Sequence, residues 1–96
     1  MDAAKTTRVI IFHQEYAVTS AEDPRDIEQL AHEVDELMIS IAQRAGNVDA
    51  TRVAVLACLH LADRLRESAN ELADLRARVD EKSRQFSLLL DQAIET

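Results

Sequence analysis

Aromatic side chains are scarce in this sequence, with two Phe, one Tyr and no Trp, and glycine, proline and cysteine occur once each. Each shortage closes a class of function. One glycine cannot build a phosphate-cradling loop, and no serine is framed by the glycines of a nucleophile elbow. The lone cysteine, Cys58, has no partner for an internal disulfide and calls for no oxidising compartment. The longest uninterrupted apolar stretch, Val53 to Leu59, falls far below the roughly 20 residues of a membrane span. Met1-Asp2-Ala3-Ala4-Lys5 lacks the charged start and apolar middle of a signal peptide. No run of Lys or Arg occurs, and 18 acidic against 11 basic residues leave a formal charge of −7. That balance disfavours nucleic acid and anionic membranes as partners, and the expected setting is the cytoplasm.

What is present is apolar without being aromatic: 47% of 96 residues are hydrophobic, mostly Ala, Leu, Val and Ile, the material of packed helices. So short a chain buries only a modest fraction of its surface alone, which makes self-association the expected source of further stability.

The expected fold is α+β, mostly α. Arg8 to Phe12 and Tyr16 to Thr19 are β-branched and aromatic runs separated by His13-Gln14-Glu15, which predicts a hairpin with strands at about 8–12 and 15–19. Asp23-Pro24 then starts a helix of about 24–45, with Asp as N-cap, Pro in the first turn and Asp26 near the positive dipole end. Ile27, Leu30, Val34, Leu37 and Ile41 recur at helical spacing, widened by Ala31 and Met38, and Gly46 suits a left-handed terminator. Asp49 is a good N-cap for a second helix, with Val48 and Val53 placed as a hydrophobic staple.

No Gly or Pro follows, so the second helix is expected to run from about 50 to the end, on the order of 69 Å at 1.5 Å per residue. From Val53 to Ala62 every residue but His60 is apolar, a segment expected to be covered on most sides by helix one, the hairpin and a partner chain. Beyond Ala62 the coating turns polar around a heptad seam. Cys58, Leu65, Leu72, Val79, Phe86 and Ala93 occupy a, and Leu61, Ser68, Leu75, Lys82 and Leu89 occupy d. The polar Ser68 and Lys82 are register-setting interruptions. The expected organisation is a head over 1–62 and a coiled-coil tail over 63–96, with Cys58, Leu61, Leu65, Leu72, Leu75, Val79, Phe86 and Leu89 as oligomerisation residues. Asp74 with Arg78 and Asp80 with Arg84 have ion-pair spacing but read as solvated surface.

Little here reads as chemistry. Glu28, His32 and Glu36 recur every four residues, yet one helix supplies too few fixed ligands for a metal. His60, with Asp63 three residues on, reads as a buried, hydrogen-bonded histidine at a subunit contact, and Cys58 as a small core residue with no basic neighbour in sequence. Neither catalysis nor a cofactor is expected. A small head on a coiled-coil tail is a linking device, because paired copies display several binding surfaces at once.

Ile11-Phe12-His13-Gln14-Glu15-Tyr16 resembles the opening strand, turn and Tyr-led second strand of the ZapA cell-division family, with His13 where a glycine is usual. Val34-Asp35-Glu36-Leu37-Met38 is similar to the end of that family's first helix, and Thr51 to Asp63 resembles its most recognisable block. The resemblance implies a head-to-head homodimer, two such dimers joined through antiparallel tails into a tetramer, and heads that bind FtsZ and bundle its protofilaments to stabilise the Z-ring at mid-cell. It implies neither cofactor nor reaction. In the family, basic residues near the hairpin turn and the end of helix one serve the FtsZ contact. The matching positions here offer Gln14 at the turn, and Arg44 and Asn47 near the helix end, while Arg52 reads as a scaffold residue of the second helix. The competing expectation is a generic coiled-coil adaptor whose tail recruits another helical partner.

Overall fold

The computed structural model of the protein describes residues 3–46 and 48–95. The element order is β1 (Lys5–Ile11), β2 (Gln14–Ser20), α1 (Pro24–Ala45) and α2 (Ala50–Glu95). The chain divides into two units, Met1–His60 and Leu61–Thr96, with α2 contributing to both.

β1 and β2 pair antiparallel, with Thr7 opposite Val18, Val9 opposite Tyr16 and Ile11 opposite Gln14. The period-two alternation decides which face is covered: Thr7 and Val9 are buried against α1, whereas Thr6, Arg8 and Ile10 face outward. On the outward face the Thr6 and Thr19 hydroxyls meet at 3.1 Å, and Arg8 pairs with Glu15 at 2.8 Å. The connection is tighter than the sequence predicts. The turn consists of Phe12 and His13, not His13-Gln14-Glu15, because the ladder already closes at Ile11 and Gln14. Both turn residues lie at positive φ, 49° and 68°. A two-residue hairpin needs that left-handed conformation so that its twist matches the strands.

α1 starts and ends as its sequence dictates. The Asp23 carboxylate accepts the Arg25 backbone N–H at 2.9 Å, Pro24 fills the first turn, and Gly46 at φ 75° donates its N–H to the Ala42 carbonyl. Ala31 and Met38 are its most buried residues, with Ile27, Val34 and Ala42 beside them. Leu30, expected on the buried stripe, is instead 53% exposed. It shares a flank of α1 with Leu37 and Ile41, but only those two reach the part of the helix that packs with α2.

α2 opens with the Asp49 carboxylate accepting the Arg52 N–H at 2.8 Å. Val48 packs against the cluster that contains Val53, as a staple does. The core of the N-terminal unit is Met38, Val53 and Ala57, packed against Ile11 and Phe12 from the hairpin end and Val34, Leu37 and Ile41 from α1. Val53 is completely buried.

Within one chain this core covers only one side of the apolar stretch from Val53 to Ala62. Val55 and Leu59 lie about 200° and 240° around the helix from Val53, and both are exposed, Leu59 by 68%. Cys58 and His60 are exposed as well, so α1 and the hairpin of the same chain do not cover them. The geometry differs for the two: Cys58 lies about 140° around the helix from Val53, off the face that α1 and the hairpin cover, whereas His60 lies about 20° from Val53 on that face but beyond its covered part, beside Ile41 and Arg44.

Candidate interaction surfaces

The tip of the hairpin is built around Phe12. Its backbone N–H donates to the Asp35 carboxylate at 2.7 Å, tying the turn to the middle of α1, and its ring packs against the core. His13 and Gln14 follow it outward and are exposed. The Tyr16 hydroxyl donates to the Gln14 carbonyl oxygen at 2.9 Å. A groove of about 710 Å³ opens between the hairpin and α2, lined by Phe12, Gln14, Tyr16, Met38 and Ala54 among others.

A second, shallower hollow of about 300 Å³ lies between the end of α1 and α2, lined by Ile41, Arg44, Ala45, Leu56 and His60. Arg44 sits in the last turn of α1, where its charge complements the carbonyl end of the helix. Gln14 and Arg44 thus line separate hollows. Asn47, the third residue expected at a partner contact, lies outside the described residues. Arg52 gives its backbone N–H to the cap of α2, and its side chain is exposed.

The residues of the C-terminal unit that the sequence marks for oligomerisation share a face of α2. Leu61, Leu65, Leu72, Leu75, Val79, Phe86 and Leu89 are all exposed, Leu65 by 72% and Phe86 by 63%. Leu88, Leu90 and Ile94 are exposed outside the a and d positions, which widens the apolar surface towards the end of the helix. Among the described residues, neither Asp74 and Arg78 nor Asp80 and Arg84 close to ion-pair distance.

His32 Nε2 and Glu36 Oε1 stand 3.0 Å apart on α1, both exposed. Among the described residues no group of three or more His, Cys, Asp or Glu is arranged to hold a metal ion, and no helix is long and apolar enough to cross a membrane. The backbone N–H of Arg25, followed by its guanidinium, holds the Asp23 carboxyl below its ordinary value of 3.8.

Sequence reasoning passed over Asp35 and Tyr16. A carboxylate amid the covered positions of an amphipathic helix, between Val34 and Leu37–Met38, is the signal that marks Asp35: a half-buried acid calls for a donor. Tyr16 carried a weaker signal, since its partner Gln14 is two residues away on the same strand face.

A family model described as cell division protein ZapA matches residues 7–94. A solved structure, a ZapA mutant dimer from Geobacillus stearothermophilus, superposes with a TM-score of 0.66 at 25% sequence identity, covering 83% of this chain and 93% of that one. No curated protein matches the sequence. The hairpin, the short helix and the long helix are therefore shared features of a known fold, and this chain belongs to the ZapA family of cell-division proteins, whose members are not enzymes.

Proposed function

We propose that this protein is a noncatalytic crosslinker of FtsZ filaments. Copies associate through the apolar face of α2, first as homodimers and then as a dimer of dimers, and the N-terminal units contact FtsZ. Bundling of protofilaments follows and stabilises the Z-ring at the mid-cell division site in the cytoplasm. The observation that carries this reading is the file from Leu61 to Leu89, whose apolar residues are exposed within one chain. A surface of that kind on a protein of this size marks an interaction site. The heptad spacing of the same residues supports a helical partner, and the Geobacillus relative, solved as a dimer, supports a second copy in that role. No bond is made or broken in this activity. Its mechanism is multivalency: weak contacts at several N-terminal units combine, and avidity exceeds the individual affinity by about 10² to 10⁴.

Gln14, Arg44 and Asn47 are the proposed FtsZ-contacting residues. Arg44 brings a fixed charge and five donors. Gln14, whose carbonyl oxygen accepts from Tyr16, has amide N–H groups outside that bond and so offers donors where a basic side chain would. The test is sedimentation of FtsZ filaments with and without the protein at physiological salt. Co-pelleting with thicker bundles is expected; absence of both overturns the assignment.

A further inference from the structure

Phe12 and His13 are two consecutive residues other than glycine in the left-handed region, at φ 49° and 68°. For a side chain as bulky as Phe that conformation is rare, and it persists only where the surroundings impose it. Here Phe12 is held twice, by the 2.7 Å hydrogen bond from its N–H to the Asp35 carboxylate and by the packing of its ring against the core. The next two residues, His13 and Gln14, are exposed, and among the described residues neither makes a hydrogen bond to α1 or α2; Gln14 sits on the strand face shared with Ile11 and lines the groove beside α2. The stabilisation is thus concentrated at the base of the tip, and its effect is to fix the direction in which His13 and Gln14 project.

We infer that Asp35 is the positioning residue of the hairpin tip: by accepting the Phe12 N–H it holds the left-handed turn in the one geometry that presents Gln14 to the partner filament. This rests on the FtsZ-binding reading above. Asp35 itself touches no partner. It acts through Phe12, removing the ordering cost that a mobile tip would otherwise bring to the contact. A charge-assisted acceptor is stronger than a neutral one, which suits a bond that must hold two strained residues.

The test compares Asp35→Ala, Asp35→Asn and the double variant Asp35→Ala/His13→Gly with the parent, full length, reading far-UV circular dichroism, light-scattering mass and co-pelleting with FtsZ. Asn keeps an acceptor oxygen, and glycine in place of His13 adopts positive φ without penalty. The expected result is an Asp35→Ala protein of parental fold and mass whose FtsZ affinity falls roughly tenfold, with Asp35→Asn close to the parent. The glycine double variant is expected to recover about half of the loss on a logarithmic scale, since relief of the left-handed cost replaces part of what the hydrogen bond supplied. A folded Asp35→Ala that pellets like the parent overturns the positioning role, as does a double variant that binds no better than Asp35→Ala. An unfolded Asp35→Ala also overturns it, because the carboxylate would then be holding the fold and not the tip. If the parent itself fails to pellet, the FtsZ reading falls and this inference falls with it.

Discussion

Tyr16 holds Gln14 by its carbonyl end. The phenolic hydroxyl donates to Gln14 Oε1 at 2.9 Å, two residues back along the same strand face, which leaves the amide N–H groups outside that bond. A neutral side chain with its oxygen engaged thereby has two N–H donors to offer, as Lys and Arg have donors, but without their charge. An acidic chain can in this way offer donors to a partner's carboxylates or carbonyls without a cluster of cations.

That arrangement makes Gln14→Glu informative. The substitution is nearly isosteric and still accepts from Tyr16, but it replaces the N–H donors with acceptors and adds a negative charge. FtsZ co-pelleting is expected to weaken about five- to tenfold, the cost of about 1–1.5 kcal/mol for one lost hydrogen bond. Gln14→Arg should retain it. Arg44→Ala should weaken binding by a similar factor, and more at low salt than at high, because an exposed cation acts through a screened field. Equal pelleting of Gln14→Glu and the parent would remove Gln14 from the contact.

Val53 is the completely buried side chain at the centre of the Met38–Val53–Ala57 core. Val53→Ala deletes two methyl groups where α1, α2 and the hairpin end converge, so a cavity remains. A loss of roughly 2 kcal/mol is expected. Urea denaturation at fixed protein concentration should show a lower midpoint with an unchanged slope; an unchanged midpoint would contradict the placement of Val53.

Leu72→Glu tests the apolar face of α2. A charge in a closed helical seam has no partner and is strongly destabilising to the assembly. The N-terminal unit does not contain residue 72 and should stay folded. Light scattering is expected to report a smaller species than the parent at the same concentration, with Thr7 and Val9 amides still slow to exchange. A mass equal to the parent's rules out a seam through Leu72.

The cap of α1 gives a pH-dependent prediction with a definite sign. Asp23 has its pKa lowered in the folded state, first by the Arg25 backbone N–H and then by its guanidinium. Its contribution to stability is therefore complete above the ordinary value of 3.8 and is lost as pH falls through the lower folded value. Asp23→Asn keeps the cap but removes the titration. The difference in melting temperature between parent and variant should be constant above about pH 5 and shrink below it; a difference that grows on acidification would reverse the assignment.

The elements that were legible in the sequence are those whose signals are local. Asp23, Pro24, Gly46 and Asp49 mark helix ends by their own backbone chemistry, and each does in the structure what its type predicts. The hairpin was legible and its turn was not. Phe12 reads as a strand residue because it is apolar and aromatic, and nothing in a sequence without a turn glycine announces two left-handed residues. The anchor that permits them, Asp35, is 23 positions away, so the information is tertiary. The same holds for Leu30, whose periodicity is right but whose cover depends on where α2 crosses α1. Of the proposed contact residues, Arg44 and Gln14 came from the family resemblance, and the structure adds the hydrogen bond from Tyr16 to the Gln14 carbonyl oxygen.

The apolar face of α2 has one further consequence. Leu65, Leu72, Val79 and Phe86 are left exposed by their own chain, so the distal half of this polypeptide has little apolar burial of its own and draws stability from whatever settles there. Supply then becomes a structural variable: under the proposed self-association, the number of copies in a compartment decides whether that half is ordered at all. A modest fall in abundance, with no mutation, would dissolve the linker while leaving each N-terminal unit intact and able to compete for the same filament sites.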